Sequence, residues 1–162
     1  MKKLIPAFIA LLCMMSCTKT GADLYRGYYS FKTGGHIVIE GRYESPLEEP
    51  KDTSVVRQIT PEWGQMRIMD SGSGSLKLTM NISAGGPVVF DAVVNDDAIT
   101  LKPVTRRVNL DYGDGMFTVS GKGRRYEKTI ILDLDYQGDY SYLGISGKVK
   151  ESHVSCIATE NE

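Results

Sequence analysis

TIILDLDY, residues 129–136, is the clearest element in the chain, because every second residue from Ile130 to Tyr136 is apolar. The residues between them are mostly polar, so one face of this segment suits a core and the other suits water. A period of two is typical of a half-buried β-strand. A helical period of 3.6 does not persist for three turns anywhere in the sequence. The same alternation recurs in six other segments: 25–31, 37–43, 75–82, 117–121, 143–149 and 154–158.

Turn residues separate these segments. Gly72-Ser73-Gly74, Gly85-Gly86-Pro87 and Asn95-Asp96-Asp97 are examples, and they supply residues that tolerate positive φ. The short intervals between turns suit antiparallel hairpins and leave no room for crossover helices. We therefore predict an all-β fold, an antiparallel meander of about 8–10 strands closed into a lipocalin/calycin-like barrel, since closure removes exposed sheet edges. A two-sheet β-sandwich is the alternative.

Residues 1–16 carry the pattern of a secretory signal peptide. Lys2 and Lys3 form a short basic start, and residues 4–15 are apolar, broken only by Pro6. A helix that spans a bilayer needs about 20 apolar residues, whereas the apolar core of a signal peptide needs only about 7–15. We therefore expect residues 1–16 to be removed on export.

Ser16 and Cys17 follow the apolar segment and resemble the lipobox of bacterial lipoproteins. That resemblance implies that Cys17 becomes a lipid-modified N-terminus and that the protein stays on a membrane through its acyl chains. The alternative is ordinary cleavage near Ser16 with Cys17 unmodified. On this division, residues 17–23 are the lipidated N-terminus and tether, residues 24–159 form one β-barrel domain, and residues 160–162 are a C-terminal tail.

The charge balance excludes some classes of partner. The chain has 162 residues, with 19 Lys and Arg against 20 Asp and Glu, which gives a formal net charge of −1. This balance is too even for a nucleic-acid-binding surface.

Six cations, however, cluster in two predicted hairpins, where acidic residues are interleaved, and we interpret them as a mixed solvated face. They are Arg106, Arg107, Lys122, Arg124, Arg125 and Lys128. Cys156 is expected to be a small core residue.

Three features together resemble small lipocalin-like or calycin-like barrel lipoproteins of gut-dwelling Gram-negative anaerobes. They are the lipobox, the first strand Tyr25-Arg-Gly-Tyr-Tyr-Ser-Phe31, and the stretch from Gly121 to Gly138. Lipocalins carry Gly-x-Trp in the first strand, and here Tyr29 stands where that tryptophan is expected. The resemblance implies a barrel that holds an apolar small molecule. Surface-exported lipoproteins of such bacteria resemble one another in having acidic residues soon after the cysteine, so the single Asp23 favours the periplasmic side of the outer membrane.

Few residues in the sequence are candidates for catalysis or for metal binding. The two histidines, His36 and His153, would approach each other only if the first hairpin paired with the last strand, which would make a transition-metal site conceivable; otherwise one ends a turn and the other begins a strand. Asp133, Asp135 and Gly138 imitate the start of a calcium loop, but Gly144 occupies the place of the bidentate glutamate. No nucleophile motif or phosphate loop is found. We therefore expect no catalytic residues, no metal and no cofactor.

The sequence supports two hypotheses of function. In the first, the protein is a non-enzymatic lipoprotein of the cell envelope that binds a small apolar ligand in the barrel or at its mouth. The bulkiest aromatic residues expected to line that site are Tyr29, Phe31, Trp63, Phe90 and Phe117. In the second, it is an accessory lipoprotein that binds an envelope protein or a glycan through loops or a sheet edge. Residues 44–53, which contain two prolines and are predicted to form a long exposed loop, would then matter most.

Overall fold

Ten antiparallel strands form one sheet in the computed structural model, which describes residues 21–162. The signal peptide predicted for residues 1–16 and the lipidation predicted at Cys17 lie outside the described residues. A short 3-10 helix, Gly21–Leu24, precedes the strands. The strands are β1 (Gly27–Ser45), β2 (Glu48–Ile59), β3 (Trp63–Gly72), β4 (Ser75–Ile82), β5 (Pro87–Asn95), β6 (Ala98–Asn109), β7 (Asp114–Tyr126), β8 (Thr129–Gln137), β9 (Asp139–Tyr142) and β10 (Ile145–Glu160).

Eight of these strands form a closed ring of hydrogen bonds. The order around the ring is β1-β3-β4-β5-β6-β7-β8-β10, and β10 pairs back onto β1. The predicted antiparallel all-β meander is therefore confirmed. The sheet closes on itself in a barrel-like arrangement instead of dividing into the two layers of a sandwich.

β1 and β10 are longer than the ring requires, and each serves two neighbours. Residues 27–32 of β1 pair with β3, whereas residues 35–45 pair with β2. In the same way, residues 154–159 of β10 pair with β8, and residues 145–148 pair with β9. The result is a four-stranded extension, with the order β2-β1-β10-β9, that continues the sheet beyond the ring.

The prediction of a long loop at residues 44–53 is wrong, because most of these residues belong to the four-stranded extension. Only Pro46 and Leu47 form the turn between β1 and β2. The prolines and charges suggested a loop, yet β2 is an edge strand, where a proline such as Pro50 costs no ladder hydrogen bond on its solvent side. The segment is nevertheless exposed, and Leu47 keeps 94% of its surface in water.

The core is built from the alternating apolar residues that the sequence indicated. In β8, Ile130, Leu132, Leu134 and Tyr136 are all buried. Cys156 is also buried and free, as predicted, and burial raises the pKa of its thiol to about 12. Such a thiol stays protonated at neutral pH and is unreactive.

Alkaline pH is expected to unfold the protein through its buried tyrosines. Burial raises the pKa of Tyr29 to about 12 and also raises the pKa values of Tyr25 and Tyr136. In the unfolded chain, tyrosine titrates near pH 10, so between about pH 10 and 12 the unfolded state releases protons that the folded state retains. The free energy of unfolding should therefore fall as pH rises through this window, by up to about 2 kcal/mol for Tyr29 alone.

The measurement is a pH titration that follows tyrosinate absorbance and circular dichroism together. Tyr126→Phe is the matched control, since the Tyr126 side chain is exposed. The buried tyrosines should ionise only as the fold is lost, and Tyr29→Phe should make the loss of stability less steep. Complete ionisation in a folded protein would contradict this prediction.

Candidate functional site

β5 and β6 are paired over only part of their length, so the wall of the ring is split between them. These strands pair only where residues 92–95 of β5 meet residues 98–101 of β6. Beyond that point the register of β6 against its other neighbour, β7, shifts between Leu101 and Val104. The intervening Pro103 has no N–H to donate to a ladder. The remainder of β5 continues to pair with β4 alone among the described strands. A gap in the wall of the barrel results, and we call it the β5–β6 mouth.

The β5–β6 mouth is a pocket of about 310 Å³ with an apolar wall and a polar rim. The indole of Trp63 and the side chains of Ile82, Pro87 and Val88 supply the wall. Ile82 and Val88 also contact the core, so the pocket reaches down to the packed interior. Small pockets with apolar walls and a few placed polar groups are the usual sites for small ligands.

An ion pair between Glu62 and Arg106 borders the pocket at its inner end. Arg106 Nη1 donates to Glu62 Oε2 at 2.9 Å, and Nη2 contacts the second carboxylate oxygen. Only 13% of the Arg106 side chain and 15% of the Glu62 side chain are exposed. Arg106 lies opposite Phe117 of β7 and therefore points inward. The pKa of Tyr136 is raised first by burial and then by the charge of Glu62.

Thr33 holds Glu62 in position. Glu62 lies between β2 and β3, where the chain leaves one strand and begins the next. The Thr33 N–H donates to the Glu62 carbonyl at 2.7 Å, and the Glu62 N–H donates to Thr33 Oγ1 at 3.2 Å. Thr33 is the buried polar residue of the core. The carboxylate is thus presented from a backbone that the core itself anchors.

The five predicted ligand-binding residues do not meet at one site. Tyr29, Phe31, Phe90 and Phe117 are buried in the hydrophobic core, where they pack against other side chains. Trp63 alone lines the β5–β6 mouth, with more than half of its surface exposed. Sequence reasoning did not identify Glu62, Ile82, Val88 or Arg106 as residues of the site. Pro103 within an alternating strand was the available signal for an interrupted ladder.

A second, largely buried guanidinium, that of Arg125, closes the end of the ring away from the β5–β6 mouth. It donates to the carbonyls of Leu24 and Glu127, each at 2.6 Å, and to the Tyr29 hydroxyl at 2.9 Å. It also forms an ion pair with Glu160 near the end of β10. One side chain thereby ties together the 3-10 helix and strands β1, β7 and β10.

The prediction of a solvated basic face is wrong for Arg106 and Arg125 and is confirmed for the four other cations. Arg107, Lys122, Arg124 and Lys128 are exposed. Arg106 and Arg125 are largely withdrawn from solvent because each meets a glutamate supplied by a segment distant in sequence.

Another concavity is a polar groove of about 680 Å³ on the outer face of β6, β7, β8 and β10. Its side chains include Ser120, Lys122, Asp133, Asp135 and His153. Asp133 and Asp135 lie on the solvated face of β8, as the alternation predicted. Because the groove is mainly charged and hydroxylated, it suits an apolar ligand less well than the β5–β6 mouth does.

No protein-family model matches the sequence, and no curated protein is found to be similar to it. Among residues 21–162, no helix is sufficiently long and apolar to cross a membrane.

Proposed function

We propose that the protein is a lipid-anchored, non-enzymatic binder of a small, largely apolar ligand, and that the ligand occupies the β5–β6 mouth. The observation that carries the proposal is an apolar pocket at the one split in the ring of described strands, lined by Trp63, Ile82 and Val88. Burial of apolar ligand surface there would contribute about 25 cal/mol per Å² before the costs of association.

The ligand is assigned to the mouth because side chains already occupy the interior. Phe90 and Phe117 are almost completely buried, and they belong to one continuous cluster with the other core residues. At the mouth, Glu62 and Arg106 neutralise each other, so the inner end of the pocket presents little net charge. Arg107 and Asn109 at the rim can contact a polar end of the ligand.

A binding role fits the lining better than a catalytic one. Among the described residues that line the mouth there is no histidine, cysteine or serine. The carboxylate of Glu62 is engaged by Arg106 through both oxygens, so it is poorly placed to act as a general base.

The resemblance to calycin-like lipoproteins forms part of the proposal, with Cys17 as the lipid anchor and the periplasmic side of the outer membrane as the location. Two features at the closed end support it. Tyr29 stands at the position of the lipocalin tryptophan, and the guanidinium of Arg125 lies over its ring, 5.9 Å from the centroid. Lipocalins also support that tryptophan with an arginine, which comes from their last strand; Arg125 comes from β7.

The mouth can be tested with an anilinonaphthalene sulfonate dye, because Trp63 is the sole tryptophan in the chain and can transfer excitation energy to a dye bound beside it. Val88→Gln should weaken dye binding about tenfold by placing a polar amide in the apolar wall. Val89→Gln is the matched control, since Val89 is the next residue and points to solvent. Equal affinities in the two variants would contradict the assignment to the mouth.

A second candidate, an accessory lipoprotein that binds an envelope protein, is favoured by the end of the four-stranded extension. Leu47 is almost fully exposed there, and Leu143 is also exposed in the turn beside Glu44, whose N–H donates to the Gly144 carbonyl. Native mass spectrometry of the protein purified from its own host distinguishes the two candidates. A bound small molecule supports the first, whereas a bound protein with an empty mouth supports the second.

A further inference from the structure

The two histidines of the chain lie directly opposite each other on β1 and β10. His36 pairs with His153 in the register of these strands, as the sequence indicated would happen if the first hairpin met the last strand. The ring centroids are 5.0 Å apart, and the ring planes are tilted by 34°. Neither the proposed ligand site nor the core accounts for this pair.

Rigid strands, not loops, hold the two rings. Gly35, the residue before His36, has φ of 137°, and a Cβ at that position would lie 2.1 Å from the His153 carbonyl oxygen. Only glycine therefore permits the close approach of β1 and β10 at this point. The inward neighbours Ile37 and Val154 are buried, which places both imidazoles on the outer face. His153 is exposed there and within reach of a dissolved ion.

We propose that His36 and His153 form a two-histidine site for a divalent transition-metal ion, with Cu²⁺ bound most tightly. Metal–imidazole bonds are about 2.0–2.1 Å long, so two imidazoles in adjacent coordination positions have ring centres roughly 4.5–5 Å apart. The observed separation agrees with this value without movement of the backbone. Imidazole nitrogen suits copper, nickel and zinc, and affinity for a given site rises from Ni²⁺ to Cu²⁺.

Glu151 provides the supporting contact that such a site needs. Its Oε2 atom lies 3.2 Å from Nε2 of His153. Histidines that bind metals usually donate the proton of their other ring nitrogen to a carboxylate, which selects the tautomer. With Nε2 so engaged, Nδ1 of His153 is left as the ligand nitrogen. No set of three or more His, Cys, Asp or Glu side chains in the described part of the chain is arranged around an ion, so water or a second molecule would fill the remaining positions.

The test is a titration of the untagged full chain with copper sulfate, followed by NMR of the imidazole C–H protons. Because there are only two histidines, there are only two such sets of resonances. Paramagnetic broadening should remove both at the same copper concentration. His36→Asn and His153→Asn should each weaken copper binding by about tenfold or more, and Glu151→Gln should have a smaller effect.

Gln58→Ala is the matched control, since Gln58 faces His36 from β2 and should leave copper affinity unchanged. All variants keep Cys13 and Cys17, so metal binding at the N-terminus cancels in the comparison. Circular dichroism checks that each variant is folded. The proposal is overturned if a folded single-histidine variant binds copper as tightly as the parent, or if the two histidines respond at different copper concentrations.

Discussion

Arg125→Met is expected to lower the free energy of unfolding by about 3–4 kcal/mol, at the level seen when one partner of a buried ion pair is removed. Only 10% of the Arg125 side chain is exposed. Methionine restores much of the volume but none of the donors. The carboxylate of Glu160 and the carbonyls of Leu24 and Glu127 would each lose a charged hydrogen-bond donor. Leu24 and Glu160 are partly buried, and an acceptor left without a partner in such surroundings costs about 1–3 kcal/mol, whereas exposed Glu127 can turn to water.

Arg124→Met is the matched control for this variant. Arg124 is the preceding residue, its side chain is 57% exposed, and its ion pair with Asp97 is 3.4 Å long. Exposed pairs of this kind contribute about 0–1 kcal/mol. Denaturant unfolding should show a lower midpoint for Arg125→Met with an unchanged slope, and a midpoint close to that of the parent for Arg124→Met. Similar losses in both variants would show that Arg125 does not close this end of the ring.

The second large effect is expected at the mouth, where Glu62→Ala should cost about 3 kcal/mol. The variant leaves the guanidinium of Arg106 without a charge partner in a mostly buried position. Exposed Glu48, whose carboxylate lies 3.3 Å from Lys51 Nζ, offers a control, and Glu48→Ala should cost less than about 1 kcal/mol.

Combining Glu62→Ala with Arg106→Met separates the loss of the pair from the burial of a lone charge. Because the double variant has no unpaired charge, it should recover most of the stability lost in Glu62→Ala. A double-mutant cycle measured by denaturant unfolding should give a coupling energy of about 2–3 kcal/mol. If the two losses simply add, the ion pair does not hold the inner end of the mouth together.

The fold class could be read from local periodicity, and the strand segments of the core were found in this way. Ile130, Leu132 and Leu134 are buried because their spacing of two places them on one face of a strand wherever that strand lies in the sheet. Residues 44–53 were wrongly predicted as a loop because their structure depends on tertiary position and not on local pattern. Prolines and charges indicate a loop locally, but their cost vanishes on an edge strand, and the position of β2 at the edge depends on its pairing with β1.

The candidate site could be recognised only in part. Trp63 was identified because large aromatic residues are common in ligand sites. Ile82 and Val88, which line the pocket with it, resemble ordinary strand residues. The mouth opens because β5 and β6 stop pairing, and a lost pairing leaves no periodic signal. Pro103 is the one residue in the sequence that indicates the lost pairing, but prolines also occur at many sheet edges and bulges.

Alternation in the chain established the strands, their inward residues and the antiparallel meander, because each of these depends on neighbours two to about ten residues away. The burial of Arg106 and Arg125, the meeting of His36 with His153 and the split beside Pro103 were established by the folded sheet. Arg106 lies 44 residues from Glu62, and Arg125 lies 35 residues from Glu160. A charge is buried or solvated according to whether a partner from a distant strand reaches it, and that depends on closure of the ring through β1 and β10.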